Sequence, residues 1–223
     1  MGEQRTIEAT DGTTIGAYQA KPGSGTAAGL VVIQEIFGVN RHIRNVTDRF
    51  AADGYLALAP AMFDRREKNV QLGYTQEGIA QGREIAMSLK PDEILADVRG
   101  AIKALRHQGC RKVGIVGFCF GGTVAWRAAA SADVDAAVGY YGGGVYGARE
   151  MKPKVPTALH FGDRDAHIPM DQVKAVADLH PEVEVHVYAA DHGFHCDERG
   201  SYDAAAAKQA YQRTLEFFKK HLG

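Results

Sequence analysis

Cysteine is scarce in this chain, with three residues, Cys110, Cys119 and Cys196, among 223. An odd, small number in a chain long enough to build its own core excludes a disulfide framework, leaves free thiols and points to a reducing, cytoplasmic setting. Runs of one charge are missing as well. With 26 Lys plus Arg against 27 Asp plus Glu and a formal charge of -1, no basic cluster is available to neutralise phosphates, which excludes nucleic acid or an anionic membrane as an expected partner. No apolar run approaches the roughly 18 residues of a membrane-spanning helix. The first ten residues carry Glu3, Arg5 and Glu8 and lack the apolar core of a leader peptide. No repeat and no long Gly/Ser/Pro linker divides the chain, so residues 1–223 are expected to form a single domain. What is present, 45% apolar and 24% charged residues, describes an ordinary soluble globular protein.

Hydrophobic patterning gives the order of elements. Thr13 to Ala20 alternates and is expected as an antiparallel edge strand, followed by the turn residues Lys21, Pro22, Gly23, Ser24 and Gly25. Gly29 to Gln34 is a short continuous apolar run, as in a strand covered on both faces. Further strands are expected at Tyr55–Ala59, Lys112–Gly117, Asp135–Tyr141, Val155–Phe161 and Val183–Tyr188. Helical spacing marks Arg41–Asp53, Gln76–Leu89, a segment from Pro91 to Gly109, Thr123–Ala130, Met170–Leu179 and Ala204–His221. Residues 62–90 form a weakly patterned excursion. Strands alternating with helices imply a mainly parallel central sheet with helices on both faces, and ligands in such folds bind beyond the carboxyl ends of the strands.

Gly117-Phe118-Cys119-Phe120-Gly121-Gly122 follows one strand and opens a helix. This is the G-x-C-x-G form of a nucleophile elbow, a turn so tight that flanking side chains would collide with its neighbours. It lifts the thiol to a helix N-terminus, where free N–H groups favour a thiolate. The bland alternative is a small buried cysteine in a glycine-rich turn. Neither a dinucleotide fingerprint nor a Walker ending is present.

A nucleophile so placed needs an acid and then a histidine on later loops. Asp165, in Gly162-Asp163-Arg164-Asp165-Ala166-His167, is the candidate acid, with Asp163 read as a turn residue. His192, after the Val183 strand, is the candidate base and His195 its rival. His42, His107, His180 and His221 are expected to be solvated helix residues, and His186 a strand residue. The group His192, His195, Cys196 and Asp197 also has metal-ligand types, but no second cluster at zinc spacing accompanies it, so neither metal nor cofactor is expected.

On these residues the chain resembles the dienelactone hydrolase family of α/β-hydrolases over nearly its whole length. The resemblance rests on Gln34-Glu35-Ile36-Phe37-Gly38-Val39-Asn40, on the elbow, and on Gly139-Tyr140-Tyr141-Gly142. It implies an α/β-hydrolase fold, a triad of Cys119, His192 and Asp165, and a Glu35 that contacts the cysteine and governs its protonation. Tyr141 matches an active-site tyrosine of the family. Read physically, Glu35 ends an apolar strand and needs a partner there, for instance Arg41 or Arg44. The N–H groups of Ile36 and Phe120 are expected to form the oxyanion hole. Family members acting on dienelactone hold the substrate carboxylate with arginines, one of them four residues after the triad histidine. Here that position is Cys196, so Arg199 is the expected substitute, with Arg83 as a second arginine.

The expected activity is hydrolysis of lactones or small activated (enol) esters through a thioester intermediate, with a small ester or lactone as partner and a monomer or small homo-oligomer as the assembly. Two alternatives accompany it: a general carboxylesterase or thioesterase on the same triad, and a noncatalytic small-molecule-binding or thiol-redox protein on the same fold.

Overall fold

The computed structural model describes residues 2–23, 28–131 and 133–223. Ser24 and Gly25 of the expected turn lie outside the described residues. Among the described residues eight strands form one sheet: β1 Glu3–Glu8, β2 Thr14–Ala20, β3 Gly29–Ile33, β4 Leu56–Pro60, β5 Val113–Phe118, β6 Ala136–Tyr140, β7 Thr157–Gly162 and β8 Glu184–Tyr188. Their spatial order is β1-β2-β4-β3-β5-β6-β7-β8. β1 and β2 pair antiparallel, as do β2 and β4, and every other pairing is parallel. The described residues form six α-helices, α1 Arg41–Ala52, α2 Gln76–Ser88, α3 Pro91–His107, α4 Phe120–Ser131, α5 Met170–Leu179 and α6 Ala204–Leu222. None of the described helices is long and apolar enough to cross a membrane.

Side chains that alternate along a strand reach opposite faces of the sheet. Leu30, Val32, Val116 and Phe118 therefore enter one core with Ile43 and Phe50 of α1 and Phe218 of α6. Val31, Ile33, Val113 and Ile115 enter the other, with Val98 and Ile102 of α3 and Ala125 of α4. Because β3, β5, β6 and β7 are covered on both faces, every one of their residues is buried. That is why they read as continuous apolar runs.

Three expectations are corrected. The Thr13–Ala20 segment is not the edge, since β1 pairs along its outer side in register from Glu3↔Gln19 to Glu8↔Thr14. Only Ile7 of β1 is buried, and the charged, solvated remainder suits an edge that discourages further pairing. His42 and His180 are buried rather than solvated, because each has a polar partner: Asp197 for His42 Nδ1 at 3.0 Å, and the Arg149 carbonyl for His180 Nε2 at 2.6 Å. The helix after the elbow begins at Phe120, three residues earlier than its apolar pattern suggests.

Candidate active site

Cys119 sits between β5 and α4 with φ +54°, a left-handed conformation that non-glycine residues seldom adopt. The turn is held by the Cys119 N–H donating to the Tyr140 carbonyl at 3.0 Å and by the Cys119 carbonyl accepting from the Gly122 N–H at 3.0 Å. A Cβ at Gly117 would overlap the Gly121 carbonyl, and one at Gly121 would lie 2.5 Å from the Ile33 oxygen. The glycines thus let β5, α4 and the end of β3 meet at the thiol.

His192 Nε2 lies 3.2 Å from Cys119 Sγ, and its Nδ1 lies 2.7 Å from Asp165 Oδ2. The other Asp165 oxygen accepts the His167 N–H at 2.8 Å. Burial works against the Asp165 carboxylate, yet these bonds hold it below its ordinary range. Burial also opposes charge on His192, but Asp165 and Cys119 outweigh it and push the imidazole up to about 10. Asp163 is exposed, as a turn residue should be. His195 is buried, stacks on Phe118 at 5.1 Å, and is held neutral by that burial, so it does not compete with His192.

Ile36 and Phe120 both line the cavity over the sulfur. Neither N–H donates to a backbone or side-chain acceptor among the described residues, so two free donors flank Cys119. The cavity measures about 570 Å³, and Arg83 and Arg199 reach it as well. Tyr141 does not line it. The Tyr141 ring is buried 5.2 Å from the His192 ring, with its hydroxyl unpartnered, so its contact is with the histidine rather than with the cavity.

Glu35 departs from expectation in its partner. It hydrogen-bonds Arg199 at 3.4 Å and Tyr74 at 3.5 Å, and no hydrogen bond joins it to Cys119. Arg41 and Arg44 are engaged elsewhere, with Glu198 and Gln71. The buried carboxylate is compensated by an arginine from the loop after β8, and Glu35 in turn keeps Arg199 charged despite its burial. Tyr74 escaped the sequence reading. Its hydroxyl accepts from Asn40 Nδ2 at 3.1 Å and its ring packs 4.4 Å from Phe37. Its only sequence signal was an aromatic residue within a polar stretch.

The metal-ligand types named from sequence do not converge. Instead one donor atom each of Glu35, His42 and Cys196 lie within 4.8 Å of one another, all buried. Burial pushes the Cys196 thiol up to about 12, so it keeps its proton, and Arg199 balances Glu35. The group is electrically complete from the chain's own residues.

Comparison with known proteins places the chain in a family. Residues 15–222 match the family described as the dienelactone hydrolase family. A candidate carboxymethylenebutenolidase of Synechocystis sp. is 37% identical, with 93% of this chain and 92% of that protein covered. The carboxymethylenebutenolidase of Pseudomonas putida is 33% identical, with 97% and 96% covered. The solved structure of a candidate dienelactone hydrolase from Klebsiella pneumoniae subsp. pneumoniae superposes with a TM-score of 0.84 at 28% identity, covering 98% of this chain and 100% of that one.

Proposed function

This chain belongs to the dienelactone hydrolase family and is a hydrolase of esters or lactones, and on that premise we propose that it opens lactones or small activated (enol) esters with Cys119 as nucleophile, His192 as acid and base, and Asp165 as the group that orients the histidine. The observation that carries this is the continuous contact from Asp165 through both nitrogens of His192 to the Cys119 sulfur.

The Cys119 thiolate attacks the carbonyl carbon, a C–S bond forms, and the carbonyl electron pair moves to oxygen, which the Ile36 and Phe120 N–H groups receive. As the tetrahedral species collapses, the C–O bond breaks and the proton on His192 Nε2 passes to the departing alkoxide or enolate. Acylation removes the Cys119 contact that helped keep His192 protonated. The imidazole is then a neutral base, takes a proton from water, and the resulting hydroxide expels the thiolate to release the acid. Asp165 keeps Nδ1 protonated through both stages, so that Nε2 faces the chemistry. Arg199 and Arg83 supply positive charge at the cavity for an anionic substrate group. Arg199 is held by Glu35 until such a group competes for it.

Kinetics on an enol lactone and on p-nitrophenyl esters test the reading. Turnover that disappears in Cys119→Ala is expected, and full activity in that variant would sink it. The thiol-redox alternative loses ground on geometry, since Cys110 precedes β5 and Cys119 follows it, about 20 Å apart at the rise of a strand.

A further inference from the structure

The cavity over Cys119 carries more positive charge than the steps above employ. Three arginines line it, Arg83 of α2, Arg127 of α4 and Arg199. Arg199 is paired with Glu35. Arg127 makes no ion pair and no side-chain hydrogen bond with any described residue, and its Nε is buried without a partner. A desolvated guanidinium donor left open is costly unless a ligand completes it.

Arg127 is also aimed by its helix. Phe120, Thr123, Val124 and Arg127 all line the cavity, and their spacing of three, four and seven residues puts them on one face of α4. Eight residues separate Arg127 from Cys119, about 12 Å along the axis at the helical rise. Val124, Ile79, Leu89 and Ile94 give the same cavity much of its apolar lining. A thiol at one end, an apolar passage and an unanswered guanidinium at the other describe an elongated ligand with a reactive carbonyl at its head and an anion at its tail.

We propose that Arg127 forms a distal anion subsite, and that the preferred substrates are activated esters whose acyl part ends in a carboxylate set off from the reacting carbonyl by an apolar spacer. The proposal rests on the Cys119 reading above and specifies its substrate class. Arg127 is a specificity residue here, and it takes no part in bond making.

The test uses mono-p-nitrophenyl esters of glutaric, adipic, pimelic and suberic acids against neutral p-nitrophenyl alkanoates of equal carbon number, after subtraction of the enzyme-free rate. One of the longer half-esters should exceed its neutral counterpart at least tenfold in kcat/KM, with the gain in KM. Arg127→Gln should bring that ratio to near one, and Arg127→Lys should restore part of it. Should Arg127→Gln fold poorly, inhibition of the wild-type enzyme by suberate against octanoate reads the same preference, with tighter binding of the diacid expected. Absence of carboxylate preference at every length overturns the proposal, and so does a preference that survives Arg127→Gln or is abolished only by Arg83→Gln. Failure of the Cys119 reading looks different, since neutral esters would then not be hydrolysed at all.

Discussion

Asp165→Asn is the sharpest perturbation of the site, because it keeps side-chain size while removing the charge. The native carboxylate is buried and binds His192 Nδ1 at 2.7 Å, and together with Cys119 it lifts the imidazole to about 10 against burial. A hydrogen bond to a charged group contributes about 1.5–3 kcal/mol. Taking about 2 kcal/mol as lost, the protonated imidazole should give up its proton near pH 8.5, at roughly 1.4 kcal/mol per pH unit. The sign follows from the proposed role, in which His192 is protonated to release the leaving group: activity falls as pH rises through its value, and the variant falls earlier. Losing the group that orients Nε2 toward the sulfur should also lower the acylation rate, by about tenfold or more. The amide of Asn can also donate to Nδ1 and select the wrong tautomer, which deepens the loss. Stopped-flow acylation with an enol lactone from pH 5 to 10, with thermal melts as a control for folding, measures both effects. A variant with wild-type acylation and an unmoved alkaline limb would refute the assignment of Asp165.

Three further outcomes follow from the same geometry. Iodoacetamide should label the native protein once, at Cys119, because Cys110 and Cys196 are buried and burial raises both thiols; peptide mass spectrometry reads the site, and a second label on folded protein contradicts it. Arg65→Met should cost about 3–5 kcal/mol in urea unfolding by stranding buried Asp97, which Arg65 grips through two nitrogens at 2.8–3.0 Å while also meeting Asp11; a loss below about 1 kcal/mol would mean the pair is worth no more than one at the surface. Gly117→Ala should yield little folded protein, since its methyl has no room beside Gly121, and a soluble, active variant by circular dichroism and turnover would show the elbow to be less constrained.

The buried centre of the sheet was readable because β3, β5, β6 and β7 are apolar on both faces and bounded by turns, so composition and position say the same thing. Cys119, Asp165 and His192 were readable for a related reason, each being a chemical group on a loop just beyond a strand. β1 was missed because one buried residue, Ile7, leaves no alternation to detect. Tyr74 and the partner of Glu35 were missed for a different reason. Glu35 and Arg199 stand 164 positions apart, and no local pattern encodes which arginine a buried carboxylate will meet. His42 looked solvated on its helix because the partner that permits its burial, Asp197, also comes from the distant loop.

That loop after β8 has a consequence for how the protein comes to exist. During synthesis β5 and its elbow leave the ribosome long before the residues that supply His192 and Arg199, and pairings between distant parts of a chain form late. Until β8 docks on β7, the thiol at Cys119 has no histidine and Glu35 no arginine. A chain truncated before residue 192 would carry the elbow and its thiol but neither the His192 that meets Cys119 nor the Arg199 that meets Glu35.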